Sequence, residues 1–424
     1  MRLPALGEST CAELGGKAAP LAGLRRAGFP VPRGVVVPLS EFARHLRASG
    51  ARAAATFEEA RELLLAHGAD DELRAALTAA LDALPGGRDI PVAVRSSATT
   101  EDAQESAGAG LHETVLGARG PGEVAEAVVR CWASWWSPRR LGPRSDAVPC
   151  DDGMAVLVQV LVDADASGVL FTGERRVLEA VHGLGESLVG GAVTPDAWEL
   201  CGDGIRTHSP GSRDLRAVRR GGRVVRERLP APLRDRAPLD ADRVREIDAL
   251  GRRVAEHLGA PVDLEWAVDG AGVHVLQARP ITASLPASPT AEPAAVASPA
   301  ERASADGTRA AGTGTVLHGV GASGGTATGT VRPVRSVAEL SRVRSGDVLL
   351  ARVTDPAWTP LFPLIAAVVT ETGGMLSHAA IVAREVGIPA VLAVPDVLER
   401  LEEGAEVRVD GERGTITLVA SDDG

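Results

Sequence analysis

The 424-residue sequence predicts a multidomain chain of the α/β and α+β classes: a large nucleotide-sized domain, a linker and a small β/α domain. Three observations lead there. The length exceeds one ordinary domain and predicts two or three. Residues 1–282 alternate helix-period and strand-period apolar patterns with Gly and Pro between them. Composition then shifts twice, to an Ala/Pro/Ser/Glu stretch at Ala283–Gly312 and to a compact Gly/Val-rich region at 313–424.

Within the first region, Glu41–Arg47 and Phe57–Leu84 have helical spacing. Pro91–Arg95, Met154–Val162, Gly168–Thr172 and Gly272–Gln277 have the short apolar character of strands. The stretch Gly202–Pro238 is charged and predicts an irregular surface excursion. Ala283–Gly312 has no periodic apolar face and predicts a flexible linker, spanning on the order of 30 Å as a coil. In the last region the expected strands are Asp347–Ala351, Ala366–Thr370, Val407–Val409 and Thr415–Leu418, with one helix at Ser377–Val386.

Composition excludes several function classes. No apolar run approaches the roughly 18 residues of a membrane span. The first residues lack the apolar run of a signal peptide, so a cytoplasmic location is expected. The four cysteines have no C-x-x-C spacing, which implies neither a zinc site nor a disulfide framework. A net charge of −11 argues against a general nucleic-acid binder. One skew is informative: arginine serves almost everywhere, and Lys17 is the single lysine. Chance survival would explain it; so would a site where a compact ammonium must meet one oxygen, a place arginine cannot fill.

The strongest motif is Thr370-Glu371-Thr372-Gly373-Gly374-Met375-Leu376-Ser377-His378-Ala379-Ala380. A strand ends in a double glycine, and a helix begins near Ser377, a good N-cap residue. His378 then lies in the first turn, where unpaired N–H groups and the dipole favour a neutral imidazole and an attached phosphoryl group. Gly373 and Gly374 permit close backbone approach, and Thr372 and Ser377 offer hydroxyl donors.

Three further constellations suit a triphosphate. Leu14-Gly15-Gly16-Lys17 combines glycine amides with a point charge, although it is not a Walker loop. Val92-Ala93-Val94-Arg95-Ser96-Ser97 delivers Arg95 to a strand end, for a structural ion pair or a bidentate phosphate grip. The small-residue loop Ser106–Thr114, with Gly110 and Thr114, can fold over phosphates. Val262–Trp266 and Val275–Pro280 form a hairpin around Asp269–Gly272. Glu265 and Gln277 are either ordinary polar positions there or oxygen ligands for Mg²⁺. Arg279 shares the face of Gln277.

The histidine string, with Ala322–Gly329, Gly346–Leu349 and Val409–Gly411, resembles the swivelling phosphohistidine domain of phosphoenolpyruvate synthase, pyruvate phosphate dikinase and rifampicin phosphotransferase. The stretches from Leu14 to Thr282 resemble the ATP-grasp domain of the same family. The resemblance implies ATP and Mg²⁺ as cofactors, with Lys17, Arg95, Arg279, Glu265 and Gln277 on nucleotide and metal, and the Gln159–Val160 backbone facing adenine. It implies a dikinase: His378 takes the β-phosphoryl of ATP, giving AMP and phosphate, and passes it on. No stretch resembles the pyruvate-binding barrel or helical drug domain of these enzymes. A small-molecule acceptor or a separate acceptor protein is therefore expected, the second case making the chain a phosphocarrier subunit.

Overall fold

The computed structural model describes residues 2–8, 13–99, 113–136, 153–173, 175–281 and 315–419. The expected linker at Ala283–Gly312 and most of the Ser106–Thr114 loop, Gly110 included, lie outside them. The chain falls into two compact units, 1–188 with 195–282, and 189–194 with 283–424.

The first unit begins with α1 (Gly15–Arg26), β1 (Gly34–Val37), α2 (Leu39–Ser49), α3 (Phe57–His67) and α4 (Asp71–Asp82). It continues through β2 (Val92–Ala98), β3 (Thr114–Ala118), α5 (Gly120–Ala133) and β4 (Met154–Val160). Then come β5 (Ala166–Thr172), β6 (Arg176–His182), β7 (Asp196–Cys201), β8 (Gly204–Ser209), β9 (Leu215–Arg220) and β10 (Arg223–Arg228). Helix α6 (Ala241–Leu258) and the hairpin β11 (Val262–Asp269) and β12 (Gly272–Pro280) complete it.

These strands make an antiparallel sheet ordered β1-β4-β2-β3, a second ordered β12-β11-β5-β6-β7-β8, and the ribbon β9-β10. Side-chain alternation along β4 serves two cores at once. Met154, Val156 and Val158 pack with Phe42, Leu77 and Trp132 under helices α2–α5. Ala155 and Leu157 pack with α1, the second sheet and α6, among them Leu21, Leu264, Trp266 and Ile247. In β2, Val92, Val94 and Ala98 take the first core, which turns Arg95 and Ser97 toward the other side.

Two expectations need correcting. Phe57–Leu84 is two helices, because Gly68 closes α3 in a left-handed conformation and the Asp70 carboxylate caps α4 by accepting from Leu73 N. Gly202–Pro238 is not irregular: it holds β8, the β9-β10 ribbon and a helical turn at Ala231–Arg234. The Gly221-Gly222 pair is the hairpin signal that the surrounding arginines obscured.

In the second unit, β13 (Val316–His318), β14 (Val320–Ser323) and β15 (Thr326–Pro333) precede β16 (Val348–Ala351) and β17 (Ala367–Thr370). Helix α7 (His378–Val386), β18 (Ala390–Leu392), β19 (Glu406–Asp410) and β20 (Thr415–Leu418) follow. One eight-stranded sheet results, ordered β13-β20-β19-β15-β16-β17-β18-β14. The β15-β16-β17-β18 run is parallel. Of these, β16, β17 and β18 are buried on both faces and read as continuous apolar runs. Leu349, Ala351 and Val368 pack on α7, while Val348, Leu350 and Val369 pack against Val407, Val409 and Ile416. Among the described residues no helix is long and apolar enough to cross a membrane.

Candidate active site

In the first unit, strand register assembles the polar groups. The β11–β12 hairpin pairs Asp263 with Arg279 and Glu265 with Gln277, while Leu264 faces Ala278 in the core. All four polar side chains therefore share one face. A register shift between Glu265 and Trp266 ends this arrangement, as bulges beside functional sites commonly do. Arg95 reaches the hairpin from β2: Nη1 donates to Leu276 O at 2.9 Å, and Nη2 lies 3.4 Å from Glu265 Oε2. Thr114, exposed on β3, pairs across the ladder with Arg95. Arg279 Nε and Nη2 both lie 2.9 Å from Asp263 Oδ2.

Lys17 enters on the first turn of α1, which a buried serine fastens to β2. Ser97 Oγ accepts from Ala18 N at 3.0 Å and donates to Leu14 O at 2.7 Å. Gly15 makes that contact feasible. It has φ +67°, and a Cβ there would lie 1.9 Å from Ser97 O. So α1 and β2 are interlocked two residues from Arg95.

Gln159 and Val160 sit next to β2. The Gln159 side chain is buried and donates to Pro32 O at 3.2 Å. The Val160 amide donates to Arg33 O and the Leu161 amide to Pro91 O. Those N–H groups are committed within the unit.

Glu265 and Gln277 are directly paired strand residues on one face, and their oxygen-bearing side chains are of the kind a hard divalent cation takes. Among the described residues no group of three or more His, Cys, Asp or Glu side chains forms a metal cage. A cation here would complete its shell with phosphate or water oxygens.

In the second unit, β17 ends at Thr370, whose hydroxyl donates to Thr372 O at 2.6 Å. Gly373 turns the chain at φ +114°, and α7 begins at His378. Ser377 occupies the N-cap position but makes no capping bond; the Ser377 hydroxyl is buried without a hydrogen-bond partner. That differs from the expected cap and leaves a donor beside the histidine. The Thr372 hydroxyl donates to backbone carbonyl oxygen, with Arg352 O at 3.0 Å.

His378 is 6% exposed. Thr354 Oγ1 lies 3.0 Å from Nδ1, Thr359 Oγ1 lies 3.1 Å from Nε2, and the Phe362 ring stands edge-on at 6.0 Å. One and a half turns along α7, Arg384 Nη1 donates to Met375 O at 2.7 Å and Ala322 O at 2.8 Å, bracing the histidine loop.

Sequence reasoning missed Asp263, Ser97, Thr354, Thr359 and Arg384. Asp263 was recoverable, because strand alternation places it on the face of Glu265. The two threonines come from distant sequence, with no local signal.

Comparison with known proteins gives two family matches. Residues 11–298 match the family described as pyruvate phosphate dikinase, AMP/ATP-binding domain, and residues 343–414 match the PEP-utilising enzyme, mobile domain. The first match covers more than half of the chain, and the chain belongs to the pyruvate phosphate dikinase AMP/ATP-binding family. It is similar to a probable phosphoenolpyruvate synthase of Methanothermobacter thermautotrophicus, 33% identical over 97% of this chain and 62% of that protein. A second, from Archaeoglobus fulgidus, is 34% identical over 95% of this chain and 56% of the relative. The chain thus spans little more than half the length of these relatives. Holo aconitase X of Thermococcus kodakaraensis superposes on 25% of the chain with a TM-score of 0.22, too little to bear on fold or function.

Proposed function

We propose that the chain is an ATP-dependent dikinase-type phosphotransferase, with an ATP-grasp unit and a swivelling unit whose His378 carries the phosphoryl group. The observation that carries this reading is the histidine loop. A nearly buried imidazole starts a nine-residue helix beside a buried, unpartnered hydroxyl. A buried unsatisfied hydroxyl costs about 1–3 kcal/mol. Donation to a phosphoryl oxygen would remove that cost, with the helix N-terminus adding favourable dipole.

In the reading, the Nε2 lone pair attacks the β-phosphorus of ATP and AMP leaves with the electron pair of the broken P–O bond. Water then releases the γ-phosphoryl as phosphate, and His378 passes the β-phosphoryl to an acceptor hydroxyl or enolate. Arg95, Arg279 and Lys17 orient and neutralise the triphosphate, so catalysis is positioning and charge stabilisation. Glu265 and Gln277 would hold Mg²⁺, which neutralises phosphate charge when bound. Asp263 and Glu265 hold the two arginines in place before nucleotide arrives.

The test uses ATP labelled separately at the β and γ positions, with Mg²⁺. Wild type is expected to retain β label and form AMP, and His378→Ala to retain none. Retention of γ label with ADP would overturn the dikinase reading.

A further inference from the structure

His378 is held at both ends of its ring by hydroxyls from one short stretch after β16. Thr354 Oγ1 lies 3.0 Å from Nδ1 in a buried contact; Thr359 Oγ1 lies 3.1 Å from Nε2 in a partly buried one. A neutral imidazole has one N–H and one lone pair, so the two contacts differ in sense: one threonine accepts and the other donates. Attack on phosphorus needs a lone pair on the nitrogen that a substrate can reach. Thr359, on the Nε2 side, is the less buried of the two threonines, so Nε2 is the side a substrate can reach. The proton therefore belongs on Nδ1, with Thr354 as its acceptor and Thr359 donating to Nε2.

Resting on the phosphohistidine reading, we infer that Thr354 and Thr359 are positioning residues that fix the tautomer of His378 and cap its nucleophilic nitrogen until phosphorus arrives. Thr354 is 4% exposed, so its contact with the ring is shielded from water. Thr359 lies on a short 3-10 turn, Pro356–Leu361, and is only half-buried. Rotation about its χ1 uncovers Nε2. The N–P bond then forms at Nε2, and the bond from the β-phosphorus to the bridging oxygen breaks with its electrons on AMP. The proton stays on Nδ1, where Thr354 accepts from it and steadies the positive charge the ring acquires. The released Thr359 hydroxyl donates to a phosphoryl oxygen, so one residue serves both the resting and the loaded state.

The experiment has two independent readouts on the full chain. Nitrogen-15 imidazole spectra, recorded without nucleotide at about pH 8 where a free histidine is neutral, report the tautomer. The His378 signals are assigned by their loss in His378→Ala. Wild type is expected to show the Nδ1–H tautomer. Thr354→Val is expected to give mixed tautomers and to form β-labelled protein roughly three- to tenfold more slowly, the worth of one hydrogen bond. Thr359→Val is expected to keep the tautomer, shift the Nε2 resonance and hydrolyse the phosphohistidine roughly three- to tenfold faster. Thr359→Ser, which keeps the hydroxyl, restores both. If both valine variants keep the wild-type nitrogen spectrum, the inference is overturned even where β label is retained. If the spectra change as expected and wild type retains no label, the clamp stands and the phosphohistidine reading falls.

Discussion

The two units store their reactive groups in opposite ways. In the first, each arginine proposed to meet phosphate already faces a carboxylate, Arg95 with Glu265 and Arg279 with Asp263. In the second, the histidine meets neutral hydroxyls, and one more hydroxyl, that of Ser377, has no partner at all. Partly buried charges need counter-charges to avoid a large desolvation cost, whereas a single hydroxyl can wait unsatisfied at about 1–3 kcal/mol. The charged site is therefore stable before its ligand arrives, and the neutral site keeps a small strain that a phosphoryl group would relieve.

Arg95→Ala should break the charged side most severely. On the proposed reading it removes a phosphate contact and leaves Glu265 without its cation, so ATP affinity measured by calorimetric titration should fall by about 2–4 kcal/mol, roughly thirtyfold to a thousandfold. An affinity change below threefold would show that Arg95 serves the hairpin alone. Next in size, Gly15→Ala places a methyl group against Ser97 O and strains a positive φ. Thermal unfolding should show a loss of about 3 kcal/mol, with ATP affinity falling alongside as α1 is pushed off β2. Unchanged stability would mean that α1 can shift at no cost.

Acid should also separate the units. Burial holds the His45 imidazole below its ordinary value, with Arg44 pushing the same way and Glu41 and Asp70 opposing. Burial likewise lowers His182. Both groups lie in the first unit, and for both the unfolded chain binds protons that the folded chain resists. Stability from this source is full above about pH 6.5 and declines as pH falls below it, by up to about 1.4 kcal/mol per pH unit for each histidine. Denaturant melts between about pH 7.5 and pH 5.5 should show the slope; His45→Gln should reduce it.

The smallest effect sharpens the comparison most. Ser377→Ala removes a buried orphan hydroxyl, so the protein should gain about 1 kcal/mol in thermal stability while β-label retention declines. A loss of stability would mean the hydroxyl is already satisfied.

The elements of the site were largely legible in the sequence. The double glycine and Ser377-His378 marked the helix start, and the Asp269–Gly272 turn marked the hairpin; counting from that turn sets Glu265 against Leu276, and the register shift after Glu265 brings it to Gln277. What the sequence hid was tertiary. Nothing near His378 announces that Thr354 and Thr359 meet its two nitrogens, because that contact depends on how β16 and β17 pair. Nor does Thr372 reveal that its hydroxyl is already donated to backbone carbonyl oxygen. The β9-β10 ribbon was missed for a different reason: its arginines masked the alternation that normally marks a strand.

The eight-stranded sheet carries one more consequence. β13 and β14 are separated only by Gly319 yet stand at the two extremes of the strand order, so the sheet rolls until its margins meet. Val316, where this sheet begins, pairs with Thr417, near its last strand's end. Entry and exit are thus side by side, as in domains that tolerate circular permutation. The histidine unit is in this sense a cassette: a few residues bridging β20 to β13, with new ends opened in an exposed turn, would preserve every strand pairing.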